Sequence, residues 1–265
     1  FNDTMCASTY LEATVSAPYA EDFEGTNLWF NDTLVNQWEL GVPAGSTISA
    51  AHSPSKAWVT KLDTVYGANV GSGDYLYTPN IVVTGLDSVY LKFWHQMNVD
   101  VASDGGAIQY TTDGSTWANL GYMGDPKGTN WFNDNFGGLH VWSYANQAWQ
   151  QSEYTLDLVN VGSPFQGADT IKFRFMFIGD GSNTAEGWAI DDFEVAIPMA
   201  QIDGGVIAIT SPVNSTEVGS TVNVSVDVKN FGIDPLSSIP VSYQVTGGSV
   251  ITETINLTSN PLVSG

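Results

Sequence analysis

Apolar and polar positions alternate with a period of two along much of the chain. In DTIKFRFMFIGD (169–180), Ile171, Phe173, Phe175 and Phe177 fall on one side and Lys172 and Arg174 on the other. That is the pattern of a strand with one buried face; it loosens at Met176 and Ile178. IVVTGLDSVYLKFWHQMNV (81–99) contains a second alternating strand, and SEYTLDLV (152–159) a third. AIQYTT (107–112) and TWANLGYM (116–123) flank the turn DGS, and Asp-Gly between apolar runs is a hairpin signal. GWAIDDFEV (187–195) closes the set. Short strands recur from Tyr19 onward without a helical period, so residues 19–198 predict a two-sheet jelly-roll sandwich. Residues 1–18 read as a linker or the tail of a preceding module.

The texture changes after Ile197-Pro198, where aromatics nearly vanish. GGVIAIT, STVNVSVDVKNFG, IPVSYQVTGG and VITETINLT form a second strand series, with Val222, Val224, Val226 and Val228 alternating against polar residues. Residues 199–265 therefore predict a partial immunoglobulin-like β-sandwich, shorter than the roughly 100 residues of a full domain. A truncated sandwich would carry an exposed edge. The fold class expected for the whole chain is all-β.

Composition agrees: Val, Thr and aromatic residues are plentiful, and the charged fraction is 13% against the usual roughly 25%. The formal net charge of −21 argues against a nucleic-acid partner, which needs clustered Lys and Arg, and against anionic membrane surfaces. It suits life outside the cell and divalent cations, or solubility alone. With Cys6 the only cysteine, there is no disulfide framework or thiolate metal site. No apolar run of about 18 residues is present to insert in a membrane. The start at Phe1 and the stop at Gly265 read as those of a fragment of a larger exported protein.

The pair Asp191-Asp192 poses a problem. Neighbours in a strand point to opposite faces, so a regular strand would turn one of these carboxylates toward the core. A buried unpaired carboxylate costs several kcal/mol. YAEDFEG (19–25) is expected to carry Asp22 and Glu24 on one strand face with Phe23 opposite, and first and last strands of a sandwich are often neighbours. Acids converging there could share a Ca²⁺, which takes six to eight oxygen ligands. Otherwise they are solvated or receive backbone N–H bonds. Asp104, in the Gly-rich turn SDGG, is a further candidate ligand.

Catalytic patterns are missing. His52, His95 and His140 lie in no zinc-ligand spacing, and no GxSxG elbow occurs. His95, inside KFWHQM, reads as a packed or surface histidine. No pair among the acids is marked out for glycoside hydrolysis. GDPKGTNWFNDNFGGLHVWSYANQAWQQ (124–151) is rich in Asn, Gly and aromatics. Rings and amides are what a sugar site needs, which makes Trp131, Trp142 and Trp149 candidate ligand contacts. The same rings could instead cover an open end of the core.

AEDFEG, YLYTPNI, LKFWHQM, DGGAIQYTTDGSTW, RFMF and EGWAIDDFEV, in that order, resemble the MAM-like or cleaved-adhesin-like jelly-roll modules of Bacteroidota type IX-secreted proteins. The resemblance covers roughly residues 17–198. GVIAITSP, VSVDVKNFG and IPVSYQVTGG look like the adhesin and CARDB-type Ig-like modules of the same proteins, gliding-motility adhesins among them. The resemblance implies a structural Ca²⁺ held by Glu24, Asp191 and Asp192. It also implies O-glycosylation at Asp-Ser/Thr sites, here Thr4, Thr33, Thr64, Ser88 and Thr170. The resulting expectation is a non-catalytic adhesion, display or spacer fragment at the outer cell surface. A carbohydrate-binding accessory module of a secreted hydrolase or peptidase is the alternative. Neighbouring modules of the same chain, glycans or surface polymers, and the secretion machinery are the partners implied.

Overall fold

A computed structural model describes residues 12–31, 36–67, 70, 73–198, 202–212 and 223–264. The chain divides into two compact units at Ile197/Pro198. Among the described residues there is no helix.

The first unit holds, in chain order, β1 (Thr14–Ser16), β2 (Tyr19–Glu21), β3 (Phe30–Asn31), β4 (Trp38–Gly41), β5 (Ala57–Thr60), β6 (Asp74–Tyr77), β7 (Asn80–Val82) and β8 (Ser88–Asn98). There follow β9 (Gly105–Thr111), β10 (Ala118–Asn119), β11 (Gly128–Thr129), β12 (Asp134–Phe136), β13 (Leu139–Val141), β14 (Gln150–Asp157), β15 (Thr170–Ile178) and β16 (Gly187–Ala196). One sheet runs β1-β7-β15-β6-β3, with β9 on the other side of β15 and β10 beyond it. The other runs β11-β14-β8-β16-β5-β4, with β2 also on β16. Each sheet is thus centred on a long alternating strand, β15 in one and β8 with β16 in the other.

Their inner faces make a single aromatic core. Phe173, Phe175 and Phe177 of β15 meet Leu91 and Phe93 of β8 and Trp188, Ile190 and Phe193 of β16, all buried. Phe93 and Phe175 pack edge to face, with ring centroids 5.0 Å apart. Gly106 lies under Trp188: a Cβ there would stand 2.3 Å from the indole. The glycines of SDGG therefore open β9 and admit the Trp188 ring, beyond the turn they suggest in sequence. Met176, where the alternation loosens, is buried on the outer side.

Two sequence expectations change at the edges. Thr14–Ser16 belong to the first sheet, pairing in parallel with β7, and so are not part of a linker. The strand is three residues long, too short to show a period. TWANLGYM contributes only Ala118–Asn119 as strand, although the Asp113-Gly114 turn is in place with Gly114 at φ 74°.

The second unit has β17 (Gly204–Ser211) paired with β18 (Ser225–Asn230), and β19 (Ser238–Gln244) paired with β20 (Val250–Asn256). Single bridges join Asn230 to Ser264 and Leu236 to Leu262. Buried Asn230 gives its amide to the carbonyls of Asp234 and Leu262. Leu236 and Ile239 are its buried apolar residues, while Ile207, Ile209, Val250 and Val263 are exposed.

Candidate functional site

The paired aspartates are reconciled by a β-bulge. Trp188, Ile190, Phe193 and Val195 all face the core. That set cannot be spaced by two throughout, because two residues, Asp191 and Asp192, lie between Ile190 and Phe193. The register against β8 shifts between Asp191 and Glu194, and Asp192 has φ 45°. The extra residue keeps Phe193 inward and places both carboxylates on the outer side. Asp is one of the residues that tolerates a left-handed backbone.

The outer side at this point is covered by the loop between β4 and β5. Asp191 Oδ2 accepts the N–H groups of His52 and Ser53, both at 2.9 Å, and Oδ1 accepts that of Asp192 at 2.8 Å. Asp192 takes Nδ1–H of His52 at 2.5 Å and the Ser53 hydroxyl at 2.5 Å. Glu24 accepts the N–H groups of Ser55 and Lys56 (2.8 and 2.6 Å) and the Ser55 hydroxyl (2.7 Å). Glu186 takes the N–H groups of Ser46, Thr47 and Ile48. Three carboxylates from distant elements thus hold one loop by its amides, and a fourth, Asp192, by its side chains.

The acids titrate accordingly. Burial pushes Asp191 up to about 6, aided by the adjacent Asp192 charge and opposed by the three N–H bonds. The Ser55 hydroxyl and the Lys56 and Ser55 amides hold Glu24 below the usual range. Partial burial works against Glu186, yet its Ser46, Ile48 and Thr47 bonds keep it low.

This arrangement bears on the calcium expectation. Glu24, Asp191 and Asp192 do converge on one five-residue segment, His52–Lys56. Their oxygens face N–H and O–H donors, the opposite of what surrounds a cation. Among the described residues no three His, Cys, Asp or Glu side chains group as a metal site. The donor set as placed does not fit Ca²⁺. Asp22 and Glu24 also do not share a strand face: β2 ends at Glu21, and an Asp22 Oδ1 bond to the Glu24 N–H makes a turn. Asp104 lies elsewhere, buried, accepting the Tyr66 hydroxyl and the Asp180 N–H. Burial raises its pKa, and the Asp180 and Asp100 charges add to this.

The aromatic segment is corrected too. Trp131 and Trp142 are core residues, their ring centroids 4.9 Å apart in an edge contact. The Trp131 Nε1–H donates to the Leu120 carbonyl and that of Trp142 to Asn130. The two rings flank the hairpin of β12 and β13 and both pack edge-on to Phe93 in the core, so they offer no face to a ligand. His95 is likewise enclosed. Its Nδ1 accepts the Trp188 Nε1–H at 3.1 Å, and its Nε2–H donates to Ser152, whose hydroxyl donates to Asn130. Burial drops its pKa to about 3, so it is neutral and structural.

Trp149 alone of the three tryptophans lies on the outside, giving Nε1–H to the Ala50 carbonyl and its ring to His52. His52 in turn stacks on Trp94, with centroids 3.9 Å apart and planes at 14°. Trp94 also lines a groove of about 390 Å³ with Glu21, Asp22, Gln151, Asp192 and Glu194. Burial raises the pKa of Glu21, which accepts the Phe23 N–H and the Tyr19 hydroxyl. Sequence patterns alone do not single out Trp94 or His52 as site residues. A signal for Trp94 is nonetheless present: it shares the polar side of β8 with Lys92. Of the glycosylation candidates, Thr4 and Thr33 lie outside the described residues. Thr64 is exposed, while Ser88 and Thr170 are half-buried at the starts of β8 and β15.

No family model matches the chain, and no curated protein matches it. Solved structures do. The K2 cleaved adhesin domain of Lys-gingipain is 17% identical with a TM-score of 0.41, covering 68% of this chain and all of that domain. The K3 cleaved adhesin domain of Lys-gingipain from Porphyromonas gingivalis is 16% identical with a TM-score of 0.34, over 67% and 97% of the two chains. The CBM22-1 xylan-binding domain from Paenibacillus barcinonensis Xyn10C is 10% identical with a TM-score of 0.37, over 68% and 92%. Neither ligand nor role passes from them to this chain at these scores.

Proposed function

We propose that the chain is a non-catalytic adhesion module of an extracellular or cell-surface protein, and that it takes a glycan or surface polymer at the Trp94 groove. The supporting observation is an indole fixed on the outer face of a rigid sheet, beside a groove lined by carboxylates and an amide. Stacking area with convergent polar groups is what a sugar ring requires. Net charge −21 and a single cysteine are in keeping with an exported module. His95 and the Ser152 hydroxyl it touches are sealed in the core, and His52 is bound to Asp192 and stacked on Trp94.

The loop that covers the closing strand is, in this reading, tied by carboxylate-to-amide bonds, with no cation in the tie. Exposed Thr64 is the described site best placed to carry an O-linked sugar. A glycan array with wild type and Trp94→Ala tests the binding role. Binding that falls at least about tenfold in the variant, with unchanged circular dichroism, supports it. Failure of folded wild type to bind any glycan would leave a module whose role is spacing and display.

A further inference from the structure

The outer face of the other sheet carries a separate constellation around Arg174, the only arginine in the chain. It projects from β15 on the side opposite Phe173 and Phe175. Its guanidinium lies between the rings of Tyr75 and Trp117, 4.0 and 4.3 Å from their centroids. Its Nε–H donates to Gln109 Oε1 at 2.7 Å, and the Gln109 amide is itself fixed by Asn119 at 2.9 Å. Two rings therefore set the plane of the guanidinium, and one hydrogen bond sets its rotation.

That leaves the terminal amino groups, four of the five guanidinium donors. No hydrogen bond within the described residues takes them, and no carboxylate forms an ion pair with Arg174. The chain holds 28 acids against 7 Lys and Arg, so a carboxylate partner would be easy to supply. Lys172, two residues away on the same face, has one in Glu12 at 2.7 Å. A planar cation held rigid, with its fork unfilled, in a protein this acidic is arranged to receive an anion from outside. The fork geometry matches a carboxylate, with two parallel N–H···O bonds.

We propose that Arg174 is the anchor of a second binding site, which takes the carboxylate of a uronic-acid residue in an acidic polysaccharide. The surroundings favour a sugar over an acidic peptide. The sheet edge beside the site, β10, is only the two residues Ala118–Asn119, too short a strand to pair with a peptide. Trp117, half-buried, gives ring surface beside the fork. The Asn119 amide nitrogen, whose oxygen is already taken by Gln109, is placed to donate to a hydroxyl group. This site is on the sheet opposite the Trp94 groove and does not depend on it.

The test is calorimetric titration of the full chain with hexagalacturonate and, separately, with its methyl ester. The acid is expected to bind and the ester to bind at least about tenfold more weakly, since esterification removes the charge and one of the two acceptor positions. Arg174→Lys is expected to lose at least about tenfold, because an ammonium cannot make the bidentate contact. Trp94→Ala is expected to bind hexagalacturonate as wild type does, whether or not that groove binds glycans. Absence of heat with the acid at low millimolar concentration overturns the proposal, as does equal binding of acid and ester. Hexaglutamate binding as tightly as hexagalacturonate would replace the sugar with an acidic peptide. Should Arg174→Lys fail to fold, the comparison of acid with ester on the unaltered chain decides.

Discussion

Asp191 is the most constrained titratable residue of the closing strand: fully buried, accepting three N–H bonds, and still pushed up to about 6. An unperturbed aspartate titrates near 4. Between about pH 4 and pH 6 the folded chain therefore holds a proton that the unfolded chain releases. Stability contributed by this group is largest at low pH and is lost as pH rises through that window. A two-unit difference corresponds to at most about 3 kcal/mol. Asp191→Asn cannot ionise. The stability of wild type relative to this variant should therefore fall by on the order of 1–3 kcal/mol between pH 4 and pH 7, as read by urea unfolding. A pH-independent difference would mean that the N–H bonds offset burial completely. At the same scale, His52→Ala should uncover one face of Trp94 and remove the contact to Asp192. The aromatic pair is worth about 0.5–1.5 kcal/mol, so a small drop in melting temperature and a red shift of tryptophan emission are expected.

The bulge in β16 does what a regular strand could not. Deleting Asp192 would remove the bulge and restore strict alternation with Phe193 still inward, opposite Phe93, and Glu194 still outward. The variant should therefore fold, losing the Asp192 contacts to His52 and Ser53. Asp192→Gly keeps the bulge, since glycine accepts φ 45°. It should lose only the His52 and Ser53 contacts and melt a few degrees lower. Melting temperatures should also agree in excess calcium and in EGTA. A calcium-dependent rise that disappears in Asp191→Asn would put a cation back between Glu24 and Asp191. Strands are readable in the sequence where the period of two is unbroken: β8, β14, β15 and the β9–β10 turn. The bulge is not, because a periodic reading assumes a continuous strand. Trp131 and Trp142 mislead for a related reason: the composition of a segment carries no information on which way its rings face. Arg174 falls correctly on the polar side of β15, but only its neighbours from β6 and β9 show what that side is for.

Across the whole molecule, charge weighs most after the aromatic core. With net charge −21, self-repulsion opposes the compact state, and salt screens it. Raising sodium chloride from about 20 to about 150 mM shortens the Debye length to roughly 8 Å. Melting temperature should rise over that interval, and no binding to duplex DNA or phosphatidylserine vesicles should appear in sedimentation. The loop between β4 and β5 carries a different consequence. Its anchors, Glu186 and Asp191, lie some 140 residues further along the chain, 138 to 140 in the bonds they make. β2 likewise finds its partner only in β16. A chain emerging from its N-terminus must therefore carry β2 and the loop between β4 and β5 without these partners until the last strand of the unit arrives. Long-range closure of this kind is slow. The final step of assembly is the arrival of one strand, which at once pairs β2, docks the loop and seals the sandwich.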